Sequence, residues 1–342
     1  MAVPHHPYAF LLQTFAERAN QLQLDERLAQ VLRQCQHAQL DELPLPAGGR
    51  TLERWQALAQ VAGFDLALVK LFEGHTDARA ILAELGAAHL DTGGIWAVWA
   101  AEAPGARVQI AERQGSRVKL TGRKAWCSGA LQVDHALVSA WDEQGRPQLV
   151  AISMADPCVR PSEQGWQAIG MAASASVEVE LEGAYAQAVG GPGEYLSRPG
   201  FWQGGAGIAA CWYGAAVCAG DYLREAAQRS EEPHRLAHLG AVDAHLSAAA
   251  AVLRETAAWI DAHPAADAER VTRRARAVVE DCAEAVLRHV GRALGASPFC
   301  GDPRFARLFA DLPVFIRQSH AERDLAALGA SITDLPSLRW AL

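Results

Sequence analysis

The chain has 342 residues, half of them hydrophobic and a fifth charged, and carries a formal charge of −8 at pH 7. That length predicts two or three packed units of a globular protein and excludes the disordered and collagen-like classes. The negative balance argues against nucleic acid as a partner, because the densest basic group, Arg270, Arg273, Arg274 and Arg276, is interleaved with Glu269 and Glu280 and reads as a solvated helix face.

Up to about Leu90 the apolar residues, among them Leu58, Val61, Leu66, Val69, Leu71, Ile81, Leu82 and Leu85, recur at helical spacing. Between residues 107 and 181 the period falls to two. Segments 107–111 and 117–121 flank Gly115, segments 136–140 and 148–152 flank Gly145, and Val177, Val179 and Leu181 alternate with polar neighbours, which is the pattern of strands with one wet face. Three long amphipathic patterns follow. The first is marked by Ile208, Cys211, Trp212, Ala215, Cys218 and Leu223, the second by Leu239, Val242, Leu246, Leu253 and Ile260, and the third by Val271, Ala275, Val278, Cys282, Val286 and Val290. Stripes this wide require partner helices, hence a bundle. Asp302 before Pro303 predicts a capped helix start, and Pro313 is expected to start or kink a final helix. The expected architecture is α+β and mostly α: an N-terminal helical domain (1–93), a central antiparallel β-barrel or sandwich (94–196) and a C-terminal four-helix bundle (197–342).

The seven cysteines, Cys35, Cys127, Cys158, Cys211, Cys218, Cys282 and Cys300, have no C-x-x-C spacing and are odd in number, so they are expected as buried thiols. With no basic segment leading into an apolar run at the start and no apolar stretch approaching ~20 residues, a cytoplasmic protein without a membrane span is expected. His234 and His238 share a helix face with His245 beyond, but no H-E-x-x-H motif accompanies them, and no metal is expected. Neither G-x-G-x-x-G after a strand nor a P-loop motif is present.

The most specific segment is Leu120-Thr-Gly-Arg-Lys-Ala-Trp126-Cys-Ser128-Gly followed by Val133-Asp134-His-Ala-Leu137-Val138. It resembles the strand signature of the acyl-CoA dehydrogenase superfamily, whose order of helices, β region and bundle is similar to the one read here. The resemblance implies FAD as cofactor, with Trp126 against the isoalloxazine, Ser128 near flavin N5, and Cys127 at an apolar packing position. Trp99-Ala-Ala101-Glu102-Ala-Pro104-Gly105 is similar to the family's loop beneath the flavin's pyrimidine end, with alanine at its threonine position, so that contacts there fall to the backbone. Gly170-Met171-Ala-Ala-Ser174 resembles a segment approaching cofactor and thioester, with Ala172 in place of its arginine. Gly295-Ala-Ser-Pro-Phe299 resembles a turn that binds FAD across a subunit boundary, where Arg292 replaces a glutamine and offers a fork suited to phosphate oxygens. Arg229 falls near the family's FAD-binding arginine but lacks the following Phe-Gly.

In this family a glutamate removes the α-proton of an acyl-CoA thioester while hydride passes to the flavin, and that base must lie within hydrogen-bond reach in a water-poor pocket. Register from Arg307-Leu-Phe-Ala-Asp311 places Ser319 at one known position of this glutamate, and the alternative position falls on Gln203-Gly204-Gly205, so both lack a carboxylate. Three readings compete. A relocated base would be His320, with an ordinary imidazole pKa of ~6.5, or Glu322, which as a helix residue is expected to point elsewhere. Flavin-dependent monooxygenation on the same fold would use Ser128 and His320 toward oxygen. A heteromeric dehydrogenase would take its glutamate from a homologous subunit. The resemblance implies an acyl-CoA or related small molecule as substrate, an electron-acceptor protein or oxygen, and a homo-oligomer (dimer or tetramer) or hetero-oligomer. A catalytically silent helical scaffold without flavin is the alternative from another class.

Overall fold

A computed structural model describes residues 24–162, 165–230, 232–333 and 340. The first helical turns expected from Pro7 onward therefore lie outside the described residues. In chain order come helices α1 (Leu24–His37), α2 (Thr51–Ala62) and α3 (Leu66–Glu84); strands β1 (Trp96–Trp99), β2 (Val108–Gln114), β3 (Arg117–Cys127), β4 (His135–Trp141), β5 (Pro147–Ser153), β6 (Val159–Pro161) and β7 (Val177–Val189); and helices α4 (Gly207–Gln228), α5 (Pro233–Ala262), α6 (Glu269–Leu294), α7 (Pro303–Phe315) and α8 (Glu322–Thr333), with short helical turns between some of them. The chain forms two compact units, Met1–Leu43 with Ala67–Phe201, and Pro44–Leu66 with Trp202–Leu342.

The first unit is organised around the strands. β2 and β3 form a hairpin, β3 pairs with β7, β7 with β5, and β5 with β4, all antiparallel. A single parallel rung, Gln109 to Trp141, returns β4 to β2 and closes the circuit. The expectation of a wholly antiparallel sheet is corrected here, because β1 also runs parallel to β4, from Trp96 opposite His135 to Trp99 opposite Val138. Parallel pairing needs a long crossover. The β2–β3 hairpin supplies it, which a four-residue strand cannot announce in its periodicity. α3 covers one side: Ala78, Ile81 and Leu82 pack with Trp96, Leu137, Leu149 and Val189, one from each of four strands. A buried polar belt fixes where β1 starts. His75 Nδ1 accepts the Trp96 N–H at 3.1 Å, so its Nε2 carries the proton and faces Asp41 at 3.0 Å, and Arg79 joins Asp41 and Asp91.

In the second unit α4 packs against α2, α5 and α6. The α2–α4 approach requires glycine at 214, since a Cβ there would lie 2.1 Å from the Ala59 carbonyl oxygen. Asp302 caps α7 as its sequence suggests, accepting the N–H groups of Arg304 and Phe305. Pro313 does not start the final helix. It sits inside α7, three residues from an end that tightens into a 3₁₀ turn, where the hydrogen bond it forgoes disturbs little. The last helix begins only at Glu322. Among the described residues one helix, α5, is long and apolar enough by length and composition to cross a membrane. Its apolarity is mostly alanine, interrupted by polar residues, so no continuous apolar run of ~20 residues stands out in its sequence. Among the thiols, Cys35, Cys127, Cys211 and Cys282 are buried and Cys158 and Cys218 partly so, but Cys300 is exposed on a five-residue helical turn too short to cover it.

Candidate functional site

The Trp126 motif lies at the end of β3, where the strand's own chemistry turns one side chain outward. Gly122 has φ +117°, and a Cβ there would meet the Arg107 carbonyl oxygen at 2.3 Å, so only glycine passes this point. Two residues on, Lys124 is fully buried, its Nζ 2.7 Å from Glu102 Oε1 and 2.6 Å from Ser139 Oγ. Trp141 Nε1 donates to the other Glu102 oxygen at 3.0 Å. Partial burial works against the Glu102 carboxylate, but Lys124, Ser139 and Trp141 outweigh it and hold its pKa below the usual value. The Glu102 loop is thus anchored through a buried ion pair, which leaves Ala101 exposed beside it.

The pairing with β7 then slips between Lys124 and Cys127, and Trp126 takes a left-handed backbone with φ +58°. Such a conformation costs a bulky residue ~1–3 kcal/mol and persists only where its surroundings impose it. Its effect is to leave the indole 50% exposed. Cys127 returns to the interior, where burial pushes its thiol pKa well up, consistent with packing and not with nucleophilic chemistry. Ser128 Oγ lies 2.8 Å from Ser176 Oγ, which lies 2.8 Å from Ser174 Oγ, and the latter donates to the Met171 carbonyl at 2.7 Å. Trp99 is buried and donates from Nε1 to the Ser128 carbonyl at 3.0 Å. Met171 (φ +59°) and Ala175 (φ +43°) are left-handed as well. Three such residues bracketing one serine relay mark a place where the fold stores strain, as functional sites do. Sequence reading named Trp126 and Ser128, whereas Ser176 had no motif to flag it and becomes visible only through its hydroxyl contacts. A flat, half-exposed indole beside a hydroxyl relay suits an isoalloxazine, which presents an apolar ring with a polar edge.

Of the residues matched to the cross-subunit turn, Arg292 lies in the last turn of α6 and is exposed, and Gly295 (φ +65°), which follows the helix, has nothing within 4 Å of where a Cβ would stand. Arg229 is exposed and 4.0 Å from Glu225.

In the second unit, a cavity of about 230 Å³ is lined by Trp202, Arg273, Arg276, Arg317, Ser319 and Glu322, among others. Ser319 is buried and its Oγ accepts the Ala321 N–H at 3.1 Å, within a turn whose Ala321 is left-handed (φ +43°). His320 lies in this turn, ahead of α8 and not on it. Its N–H donates to Asp324 Oδ2 at 2.9 Å, and its imidazole is 58% exposed, Nδ1 being 3.7 Å from the same oxygen. Glu322, as the first residue of α8, lines the cavity instead of pointing away from Ser319.

Two of the four arginines of α6, Arg273 and Arg276, are not simply part of a solvated face, because each also has a partner far off in sequence. Arg273 pairs with Glu269 and Asp324, and Arg276 donates to the carbonyls of Gly205 (2.9 Å) and Gln318 (3.1 Å) while lying over the Trp212 ring at 4.8 Å. Burial works against the Asp324 carboxylate, yet the His320 N–H and Arg273 outweigh it and hold its pKa below the ordinary value. Gly204, the other position where a base was sought, is next to the Gly205 carbonyl that Arg276 holds.

His238 of α5 meets His289 of α6 with Nδ1 atoms 2.9 Å apart, and His245 is close by. Burial, then Arg288 and the other histidines, lower the His289 pKa. Among the described residues no group of three or more metal-ligating side chains converges.

No protein-family model matches the chain, and no curated protein matches its sequence. Solved structures do. FMN-bound TdsC from Paenibacillus sp. A11-2, elsewhere described as a dibenzothiophene monooxygenase, aligns with a TM-score of 0.79 at 17% identity over 94% of this chain and 95% of its own. Methanesulfinate monooxygenase MsuC from Pseudomonas fluorescens aligns with a TM-score of 0.81 at 18% identity over 99% and 98%. KijD3 in complex with FMN and a dTDP-linked amino sugar aligns at 0.79 and 18% identity over 95% and 92%. The chain therefore has the acyl-CoA dehydrogenase-type fold that these flavin enzymes share.

Proposed function

We propose that the protein is a flavin-dependent monooxygenase that transfers one atom of dioxygen to a small molecule. The observation that carries this reading is the turn before α8, where Ser319 and His320 stand in place of the carboxylate that desaturation needs, with the Arg276 guanidinium holding the preceding carbonyl. A cation there suits an anion or a developing negative charge better than it suits a carboxylate base, whose proton affinity it would depress. The names of TdsC and MsuC support the same choice. A bound reduced flavin would supply the two electrons that activate dioxygen. Trp126 gives the ring an apolar wall and Ser128, steadied by Ser176 and Ser174, a hydroxyl at its polar edge. To His320 we assign the holding or return of a proton during the reaction, on a turn that Ser319 keeps in shape through its bond to Ala321. FMN is favoured over FAD, because Arg229 lacks the family's following Phe-Gly, Arg292 replaces its glutamine, and both are exposed, as is Gly295.

The test is purified protein supplied with enzymatically reduced FMN, a panel of sulfides, thiophenes and aromatic amines, and ¹⁸O₂. One ¹⁸O atom in a product, formed about a hundredfold more slowly when His320 is replaced by Asn, is the expected result. Flavin turnover that yields only hydrogen peroxide with every substrate would overturn it. Acyl-CoA desaturation remains as a second reading because Glu322 lines the cavity. It requires anaerobic bleaching of bound flavin by an acyl-CoA thioester, lost in Glu322→Gln.

A further inference from the structure

The strained turn at residues 319–321 is gripped at both ends by two arginines that lie one helical turn apart on α6. Arg276 donates to the Gln318 carbonyl, immediately before Ser319, at 3.1 Å, and its other terminal nitrogen donates to the Gly205 carbonyl at 2.9 Å. Its guanidinium is seated on the Trp212 ring, which fixes where the fork points. Arg273 bonds one oxygen of Asp324, and the other oxygen of that carboxylate accepts the His320 N–H at 2.9 Å. Between the two grips sits Ala321 with φ +43°, a conformation that alanine leaves when nothing holds it. The turn's internal bond, Ala321 N–H to Ser319 Oγ, joins neighbours within the turn and does not fix it to the bundle. The arginine bonds do.

We propose that Arg273 and Arg276 are positioning residues that fix the backbone of the 319–321 turn and so set the direction from which His320 works. The role assigned to His320 rests on the monooxygenase reading above, while the grip on the turn does not. The geometry also explains why Arg276 reaches Gly205. One guanidinium ties together the two turns that correspond to the vacant base positions, so neither can move without the other.

The experiment uses the whole chain in six forms: unaltered, R276Q, R276K, R273Q, H320N and R276Q/H320N. Amide hydrogen exchange at His320 reads the grip without any catalysis. Losing a charge-assisted bond should speed exchange there by roughly tenfold in R276Q and R273Q. The amides of β3, in the other unit, serve as the internal standard and should not change. R276K should restore only part of the protection, since an ammonium lacks the planar fork that spans two carbonyls. Unchanged exchange at His320 in both glutamine variants overturns the proposal.

The second readout is oxygen insertion. R276Q should lower kcat by about tenfold with flavin affinity unchanged, and should lower it less than about twofold when added to H320N, because residues acting through one group are not additive. A full tenfold loss in the H320N background overturns a role through His320. If the unaltered protein inserts no oxygen while the exchange pattern is as expected, the monooxygenase reading fails and the positioning of the turn stands.

Discussion

Two of the turns that put a non-glycine residue in the left-handed region, at Trp126 and at Ala321, are held there by different means. Trp126, at the end of β3, is held at close range by neutral contacts, namely the serine relay, the Trp99 indole and backbone bonds such as Gly129 N–H to the Ser174 carbonyl at 2.7 Å, with the Lys124–Glu102 pair behind them. Ala321, before α8, is held by charge, through Arg273, Arg276 and Asp324. Neutral bonds on a sheet are nearly indifferent to pH and salt. Charged grips respond to both. On the proposed function the two turns would have different duties: a rigid wall for a ring at Trp126, and an adjustable point of proton handling at His320.

The largest effect should come from the one buried charge behind the rigid turn. Lys124→Met removes a fully buried cation and leaves Glu102, Ser139 and Trp141 facing each other without it. Breaking a buried pair costs ~3–5 kcal/mol, and because over a third of Glu102 is exposed the lower end applies. Urea unfolding should show a loss of about 3 kcal/mol; a loss under about 1 kcal/mol would mean that the Trp126 turn does not depend on this anchor. Trp126→Ala comes next. It should weaken flavin binding by roughly ten- to a hundredfold, read by fluorescence titration, because the aromatic wall is lost. Stability should stay level or rise, since alanine bears the left-handed backbone more easily than a bulky side chain. A marked loss of stability with flavin affinity intact would make Trp126 a core residue after all.

At the charged turn, the expected signature is in pH. Asp324 is depressed below its ordinary pKa despite burial, by the His320 N–H and Arg273. Its contribution is therefore complete above the unfolded value of ~3.9 and is lost as pH falls through the lower folded value. His320 amide protection should persist through pH 5 and decline only below the ordinary carboxylate range, in a step that Asp324→Asn abolishes. Loss of protection already above the ordinary carboxylate range would show that a group other than Asp324 holds the turn.

The two turns also differ in how far they could be read in advance. The change of period at residue 107, the three bundle stripes and the Asp302 cap are local patterns, and each element followed from them. Trp126 and Ser128 were legible because a contiguous motif carries them. Arg273 and Arg276 were not, because their meaning lies in partners 42 and 51 residues further along, Gln318 and Asp324. A charged residue with no visible partner reads as solvated. The parallel β1–β4 pair escaped for the same reason, since four residues cannot announce a partner across a hairpin. Pro313 misled because a proline near a helix end disturbs less than one at its centre.

The smallest expected effect tests the rigid turn most finely. Ser176 stands between Ser128 and Ser174, 2.8 Å from each, and has no part in the motif around Trp126. Ser176→Ala leaves the backbone pairing of Gly129 with Ser174 in place and removes only the hydroxyl that orients Ser128. One neutral hydrogen bond contributes ~0.5–1.5 kcal/mol, so stability should fall by about 1 kcal/mol. If the relay exists to aim the Ser128 hydroxyl at a flavin edge, flavin affinity should fall several-fold in Ser176→Ala and by no more in the Ser128→Ala/Ser176→Ala pair than in Ser128→Ala alone. Additive losses would mean that Ser176 contacts the ligand itself. A loss of stability with unchanged flavin affinity in all three variants would leave the relay a piece of the sheet's packing and transfer the burden of flavin recognition to Trp126.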